Sequence, residues 1–264
     1  MSDTPFHYAE SLCAEPLRTW LWNYWEFRVR ADVRGPLPHH VPPDGCTVIM
    51  VTSLRGQHAV MTSGPWLEPL AIPAEPGSHY WGVRCRPEAG GLVLGTEPQC
   101  LVNRTQPVTV FSPSLAEEFR DAIRTVVSSE DATAAMNRIF AAHLRGVPEP
   151  DAVVQLAVNH LVRERGETPI GLLAARLSIS ARTLRRRFRA ATGLTPKQFA
   201  RICRFRAAAV TLVEQSRPEW ARLASGSGFA DQAHMIHEFK DLIGLTPEDL
   251  GAAVRKTSHG DLVV

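Results

Sequence analysis

The feature that most constrains this chain is an internal repeat near its C-terminal end. The segment FRAATGLTPKQF at residues 188–199 matches FKDLIGLTPEDL at residues 239–250, with Phe, Gly, Leu, Thr and Pro at places 51 residues apart. The N-cap candidates Ser180 and Asp231 keep the same offset. Such repetition indicates two copies of one supersecondary unit. Each copy predicts a short helix with a Leu-Ala pair, a tight turn and a second, capped helix, which is a helix-turn-helix.

The second helix of the first copy combines an apolar stripe with a face of arginines. Leu184 and Phe188 lie four residues apart and predict the packed side. The other face carries Arg182, Arg185, Arg186 and Arg189. From residue 168 to 213 there are ten basic residues and no Asp or Glu. A charged helix face is most often simply solvated, but like charges this close repel unless a polyanion neutralises them. The face therefore predicts contact with nucleic acid.

The segment between the two copies predicts a long helix from Thr195 to about Gln215. About twenty residues with a rise of about 1.5 Å each make a rod of about 30 Å. One turn of B-DNA is about 34 Å long. A rod of this length can hold two reading helices in successive major grooves on one side of a duplex. Arg201 and Arg204, predicted on its surface, would lie near the intervening DNA backbone.

Charge divides the 264-residue chain into an acidic and a basic part. Residues 151–264 carry 17 Lys and Arg against 11 Asp and Glu, whereas residues 1–150 carry 12 against 16. The length allows two domains, and the basic one is expected to meet phosphate. The sequence contains no run of about 18 apolar residues, so no membrane span is predicted. The first residues also lack the apolar run of a secretory signal. The five cysteines are scattered, which is typical of a reduced cytosol. They are Cys13, Cys46, Cys85, Cys100 and Cys203.

In the N-terminal part, short runs of β-forming residues alternate with turn residues, such as Pro-Asp-Gly at 43–45. Turns about 8–12 residues apart predict an antiparallel barrel or sandwich. One segment, residues 16–34, is rich in aromatic rings. It contains Trp20, Trp22, Tyr24, Trp25 and Phe27. So many rings favour a buried core element, with an aromatic box around a ligand as the alternative.

No catalytic or metal motif accompanies these strands. The histidines of this part show no H-x-H spacing, and its cysteines form no C-x-x-C pair. A phosphate loop, a dinucleotide fingerprint and a nucleophile elbow are absent from the sequence. We therefore expect no enzyme activity, no metal and no cofactor, whereas a binding pocket would leave no motif.

Two amphipathic helices and a linker follow. Ser112 with Pro113 predicts the start of the first helix, and Asp131 precedes the second. Their apolar faces need a partner, either the β domain or the same pair on a second subunit. The prolines of residues 146–151 indicate a linker. The predicted fold is α+β with two domains. The expected divisions are a β-rich sensor domain at 1–110, helices and linker at 111–149, a double helix-turn-helix domain at 150–256 and a tail at 257–264.

The C-terminal region resembles the DNA-binding domain of the AraC/XylS family of bacterial transcription regulators. The resemblance covers residues 151–256 and rests on LLAARLSISARTLRRRFRAATGLTPKQF and LASGSGFADQAHMIHEFKDLIGLTPEDL. Through its PDGC run and GVRCRPEAGG, the N-terminal half is similar to a poorly characterised β domain that precedes this region in some members. The resemblance implies an all-α domain with two helix-turn-helix motifs joined by a long helix, and a role in regulating transcription.

The resemblance also implies which residues meet DNA. On the first reading helix the base-reading positions are occupied by Arg182, Arg185 and Arg186, and on the second by Gln232, Ala233, Ile236 and His237. Arg pairs with guanine, Gln pairs with adenine, and an apolar group contacts the thymine methyl. The family commonly has an arginine where His237 stands, so we expect the second half-site to be read more weakly. Contacts to the DNA backbone are expected from Ser180, Thr183, Arg187, Arg189, Arg201, Arg204 and Asp231.

The leading hypothesis is a sequence-specific regulator controlled through its N-terminal domain by an effector or by dimerisation. The expected partners are double-stranded DNA, a second copy of the chain, a small-molecule effector and RNA polymerase, with no membrane. The expected setting is the bacterial cytoplasm and its nucleoid, and the expected action is activation. One alternative is a DNA-binding module fused to a cysteine-based enzyme of the repair type. Another is a nonspecific architectural protein, although such proteins read the minor groove with apolar wedges.

Overall fold

Eight strands and three helices make up the N-terminal part of the computed structural model, which describes residues 5–126, 128–215 and 219–256. The tail predicted at 257–264 lies outside these residues. The strands are β1 Phe6–Leu12, β2 Leu21–Val29, β3 Leu37–His40, β4 Val48–Leu54, β5 Gln57–Ser63, β6 Ala71–Ala74, β7 His79–Cys85 and β8 Thr105–Pro107. The helices are α1 Gly90–Leu94, α2 Pro113–Ile123 and α3 Ser129–His143.

The strands form two antiparallel sheets. The larger sheet has six strands in the order β1-β2-β7-β4-β5-β8, and the smaller one pairs β3 with β6. Phe27 on β2 stacks on His39 of β3 with ring centroids 4.7 Å apart, so the smaller sheet covers one face of the larger. Of the two architectures predicted, the sandwich-like one is confirmed, because the described strands run from one edge to the other without closing into a barrel.

Helices α2 and α3 cover the opposite face of the large sheet. Trp81 of β7 packs on Phe119 of α2, which in turn packs on Phe140 of α3, at centroid distances of 5.8 and 5.9 Å. The β domain is therefore the partner of these amphipathic helices. Ser112 caps α2 as predicted, but the cap of α3 is Ser128 and not Asp131, because the Ser128 hydroxyl accepts the Asp131 N–H.

The aromatic segment that contains β2 contributes rings to the core, as predicted, and also lines a cavity. Tyr24 and Phe27 are buried, Tyr24 beneath α3 and Phe27 beneath the small sheet. Trp20, Trp22 and Trp25 remain half-buried. Strand alternation puts Trp25 on the same face as Phe27, where it lines a cavity between the two sheets.

Seven helices form the C-terminal part within residues 151–215 and 219–256. They are α4 Ala152–Arg163, α5 Ile170–Arg176, α6 Ala181–Thr192, α7 Pro196–Glu214, α8 Trp220–Gly226, α9 Gln232–Ile243 and α10 Pro247–Lys256. The central helix α7 buries nine residues, among them Phe199, Ile202 and Phe205, in one core shared with its neighbours. A capping box fixes its start. The Thr195 hydroxyl accepts the Gln198 N–H, and the Gln198 side-chain oxygen accepts the Thr195 N–H.

The two parts are joined by contacts along the predicted linker and at the end of α6. Trp20 Nε1 donates to the Pro148 carbonyl at 2.9 Å, so the proline-rich segment is held against the β domain. Arg86 donates to Asn159 of α4 at 2.6 Å. Gln99 donates to the Arg189 carbonyl near the end of α6 at 3.1 Å. The N-terminal part therefore contacts α4 and the first predicted reading helix, α6.

Candidate nucleic-acid interface

Helix α6 presents the arginine face that the sequence predicts. The Ser180 hydroxyl accepts the Thr183 N–H at 3.1 Å and caps the helix, and Gly193 ends it with φ 76°. Leu184 and Phe188 are fully buried. On the outer side the exposed arginines are Arg182, Arg185, Arg186 and Arg189. None of these four forms an ion pair with another residue of the described chain. Four unpaired guanidinium groups at the surface make α6 a strongly cationic face.

Helix α9 has the same framework but a different outer face. Asp231 accepts the His234 N–H at 2.8 Å, Gly244 ends the helix with φ 75°, and Phe239 is fully buried. The predicted base-reading residues lie together on its outer side, with Gln232, Ala233 and His237 exposed and Ile236 half-buried. His237 Nε2 lies 3.5 Å from Asp241 Oδ2. This face therefore carries far less positive charge than that of α6.

Arg187, expected at the DNA backbone, forms an ion pair with Asp151 and remains about one-third exposed. Its Nε and Nη2 donate to the two carboxylate oxygens of Asp151 at 2.7 and 2.6 Å. Asp151 also accepts N–H groups of Val153 and Val154 and so caps α4. Burial raises the pKa of Asp151, but hydrogen bonds from Arg187 and from the helix N-terminus outweigh it and hold the pKa below its usual value. Arg187 thus fastens α6 to α4.

Arg201 and Arg204, predicted to face DNA from the long helix, also bond within the domain. Arg201 pairs with Glu238 of α9, and its Nη2 lies 3.3 Å from Asp241 Oδ2. Arg204 Nη1 donates to the Gly166 carbonyl at 2.9 Å, and burial lowers the pKa of its guanidinium. The reason is the central position of α7, whose sides are covered by other helices. These arginines hold neighbouring elements on α7 instead of projecting into solvent.

The four buried cysteines do not support the alternative of a cysteine-based enzyme, and the fifth, Cys100, is exposed. Burial raises the pKa of Cys13 to about 11 and that of Cys203 to about 12. Burial likewise raises the pKa of Cys46 and Cys85. A buried thiol that stays protonated is a poor nucleophile. The described residues contain no group of three His, Cys, Asp or Glu side chains placed to hold a metal ion.

The β domain contains a cavity of about 190 Å³ that no sequence motif indicated. It lies between the two sheets, and its lining includes Trp25, Phe27, His39 and Tyr80. The ring-rich segment of β2 was the one available signal, through the alternative of an aromatic box. Its partners lie on other strands, β3 and β7, so the cavity lining could not be assembled before the strand pairing was known.

No helix in the described ranges is both long and apolar enough to cross a membrane. No curated protein gives a significant match to this chain. Among solved structures, the DNA-binding domain of AdpA, a global transcriptional factor in complex with a target DNA, is 28% identical, and the match covers 41% of this chain and 97% of that one with a TM-score of 0.37. ToxT from Vibrio cholerae is 9% identical, with 85% and 100% covered and a TM-score of 0.45.

Two family models match separate regions of the chain. Residues 173–253 match the model of a helix-turn-helix domain, and residues 10–107 match a domain of unknown function, DUF6597. The first range begins at Leu173 in α5 and extends through α9 into α10, so it contains both copies of the repeat. The chain therefore carries a helix-turn-helix domain of the AraC type at residues 173–253, and this domain follows a region that matches DUF6597.

Proposed function

We propose that this protein regulates transcription by reading two successive major grooves of one duplex. The observation that carries the proposal is the pairing of α6 and α9, which are capped alike, buried alike and joined through α7. The 19 residues of α7 span about 28 Å at about 1.5 Å per residue. This length is close to the pitch of B-DNA, about 34 Å. A single chain can therefore present two reading helices to one face of DNA.

The two helices are proposed to divide the reading unequally. Arg182, Arg185 and Arg186 on α6 are free to pair with guanine O6 and N7. The outer face of α9 offers Gln232 to adenine and the apolar groups of Ala233 and Ile236 to thymine methyls, with His237 as a single donor or acceptor. Ser180, Thr183 and Asp231 lie at the helix N-termini, where phosphates bind. Arg189 lies in the last turn of α6. The first half-site then provides most of the specificity.

Control through the N-terminal domain is the second part of the proposal. Residues 1–110 are proposed as the sensor and 150–256 as the DNA-binding domain. The cavity between the sheets offers space for an effector, whereas the apolar faces of α2 and α3, the surfaces suggested for dimerisation, are covered by the β domain. These two observations favour an effector. A homodimer, contact with RNA polymerase, activation and a cytoplasmic setting belong to the proposal through the family resemblance.

The test is a selection of random duplexes by the full-length protein, followed by titration of the selected sequence. We expect two half-sites about 10–10.5 base pairs apart, as one helical turn requires, with the guanine-rich one more sharply defined. Titration of a duplex with either half-site scrambled then measures the contribution of each. Selection of no preferred sequence, or of AT-rich sequence bound through the minor groove, would contradict the proposal and favour an architectural protein.

A further inference from the structure

The cavity between the two sheets is built mainly from aromatic rings. Its aromatic lining consists of Tyr8, Trp25, Phe27, His39, Trp66 and Tyr80. The rest of the lining is largely aliphatic, including Met50, Leu70 and Ile72. At about 190 Å³ it is only slightly larger than cavities of about 150 Å³ that hold a benzene ring. The space suits one aromatic ring with a small substituent.

The charged groups of this cavity are already paired. Arg84 Nε donates to Asp44 Oδ2 at 2.7 Å, and Arg84 Nη1 donates to Glu10 Oε1, also at 2.7 Å. Burial, together with the neighbouring His40, lowers the pKa of His39 to about 4, so its imidazole is uncharged at neutral pH. A charged ligand would find no free counter-ion, and burial of an unpaired charge is costly. The lining therefore selects an uncharged compound.

One polar group of the lining lacks a partner. Trp25 Nε1 is buried and forms no hydrogen bond with the described residues. By contrast, Trp66 Nε1 donates to Ser63 Oγ at 2.8 Å, and Thr105 Oγ1 donates to the same oxygen at 3.1 Å. The Trp66 ring, Ser63 and Thr105 are thus already paired within the protein.

The wall of the cavity nearest the DNA-binding domain is the loop of Asp44, Gly45 and Cys46. Asp44 Oδ1 accepts the Cys46 N–H at 2.8 Å while its other oxygen binds Arg84, so the ion pair fixes the loop. Asp44, Cys46 and Arg84 also line a second space of about 520 Å³ between the domains. The loop therefore separates the cavity from the DNA-binding domain by a single layer of residues.

Gly45 connects that loop to the long helix. A Cβ placed on Gly45 would lie 2.6 Å from Phe199 Cε2 and 3.7 Å from Ile202 Cδ1, so the loop backbone rests directly on α7. The ring of Phe199 packs on Phe188 of α6 with centroids 5.7 Å apart. Phe188 lies on the buried side of the helix whose outer side carries the free arginines. A shift of the loop would therefore reach α6 through two rings.

We propose that the cavity binds a small uncharged aromatic compound, and that the Asp44–Cys46 loop transmits its binding through Phe199 and Phe188 to α6. The second half of this statement rests on the proposed function, and the first does not. The compound contacts the loop from one side and α7 contacts it from the other. Binding that alters the Asp44–Arg84 pair changes how Gly45 sits on Phe199.

The ligand class is tested by calorimetry on the full chain with benzamide and benzoate, which share a shape but differ in charge. We expect benzamide to bind, and benzoate to bind at least about tenfold more weakly because its carboxylate has no partner in the cavity. Ile72→Trp, which fills the cavity, should abolish benzamide binding, and Met50→Phe should weaken it. Val110→Trp, at an exposed site, should not change it. Failure of benzamide to bind at millimolar concentration, or equal binding of benzoate, would overturn the assigned class.

Transmission from the loop to α6 is tested with two glycines that share the same backbone conformation. Gly45 and Gly35 both have φ +74°, but a Cβ on Gly35 meets nothing within 4 Å. We expect Gly45→Ala to change affinity for the selected duplex, or its response to benzamide, by about fivefold or more, the usual range of allosteric coupling. Gly35→Ala should match the wild type in both. Equal behaviour of the two variants would overturn the route. If the wild type selects no DNA sequence, the proposed function fails, while calorimetry still decides the ligand class.

Discussion

The two helix-turn-helix modules, α5 with α6 and α8 with α9, share a framework and differ in the surface built on it. Each reading helix begins at a capping side chain, buries a Phe eight residues later and ends at a left-handed Gly. At the three equivalent outer positions, 51 residues apart, the first module has Arg182, Arg185 and Arg186, and the second has Ala233, Ile236 and His237. The repeat therefore preserves packing and capping, while the contact chemistry varies.

One inner position of the repeat carries a positive charge in the first module and a negative charge in the second. Arg187 and Glu238 are equivalent in the repeat. Arg187 pairs with Asp151 at the start of α4, and Glu238 pairs with Arg201 on α7. Both pairs tie a reading helix to the element beside it. What the fold requires at this position is a partly buried ion pair, and which side supplies the cation is of no consequence for holding the helix.

The largest expected effects test whether the frameworks are equivalent. Phe188→Ala and Phe239→Ala each remove a fully buried ring, so each should lower the free energy of unfolding by about 3–5 kcal/mol. Chemical denaturation of the full chain followed by circular dichroism measures both. Leu172→Ala, at a residue 48% exposed, is the control and should lie within about 0.5 kcal/mol of the wild type. A much smaller effect at Phe239 than at Phe188 would show that the second module contributes less to the fold.

The second prediction tests the difference between the surfaces. Arg186 is exposed and unpaired within the described residues, so Arg186→Ala should weaken binding to the selected duplex by about 1–3 kcal/mol and relax preference at one base pair. Titration against the selected duplex and against each single-base variant of it measures both effects. Equal losses on selected and scrambled DNA would instead identify Arg186 as a phosphate contact.

Sequence reasoning was sound where a local rule applies and failed where partners are distant. The caps at Ser112, Ser180 and Asp231 were predictable because a cap and its target are three residues apart. The arginine face of α6 followed from helical spacing alone. The partners of Arg187, Arg201 and Arg204 within the chain were not predictable, because they lie 36, 37 and 38 residues away in sequence. The cavity was not predictable for the same reason, because its lining residues come from several strands.

The third prediction distinguishes the structural arginine from the reading ones. Arg187→Met breaks the pair with Asp151 and should lower the free energy of unfolding by about 1 kcal/mol, since both groups are partly exposed. The slope of log K against log salt for DNA binding should not change, whereas loss of a phosphate contact would reduce it by about 0.9. A reduced slope would restore Arg187 to the DNA-contacting set.

The same pair has a defined dependence on pH. The pKa of Asp151 is lower in the folded protein than its usual value, so its ionised form stabilises the fold. That contribution is complete above the usual Asp pKa of about 4 and is lost as the pH falls below it. The difference in unfolding free energy between the wild type and Arg187→Met should therefore be constant near neutral pH and shrink in acid. Denaturation curves recorded at several pH values check this.

The smallest expected effect belongs to the counterpart of Arg186 in the second module. His237 Nε2 lies 3.5 Å from Asp241 Oδ2, so the ring already has an acidic neighbour on its own helix, and a neutral imidazole offers DNA one modest hydrogen bond. At neutral pH His237→Ala should cost less than about 1 kcal/mol on the selected duplex, below the loss at Arg186. His237→Arg, which places in α9 the side chain found in α6, should instead increase affinity and its dependence on salt. Measured together on one duplex, these variants rank the modules directly. A greater loss at His237 than at Arg186 would reverse the ranking and make α9 the principal reader.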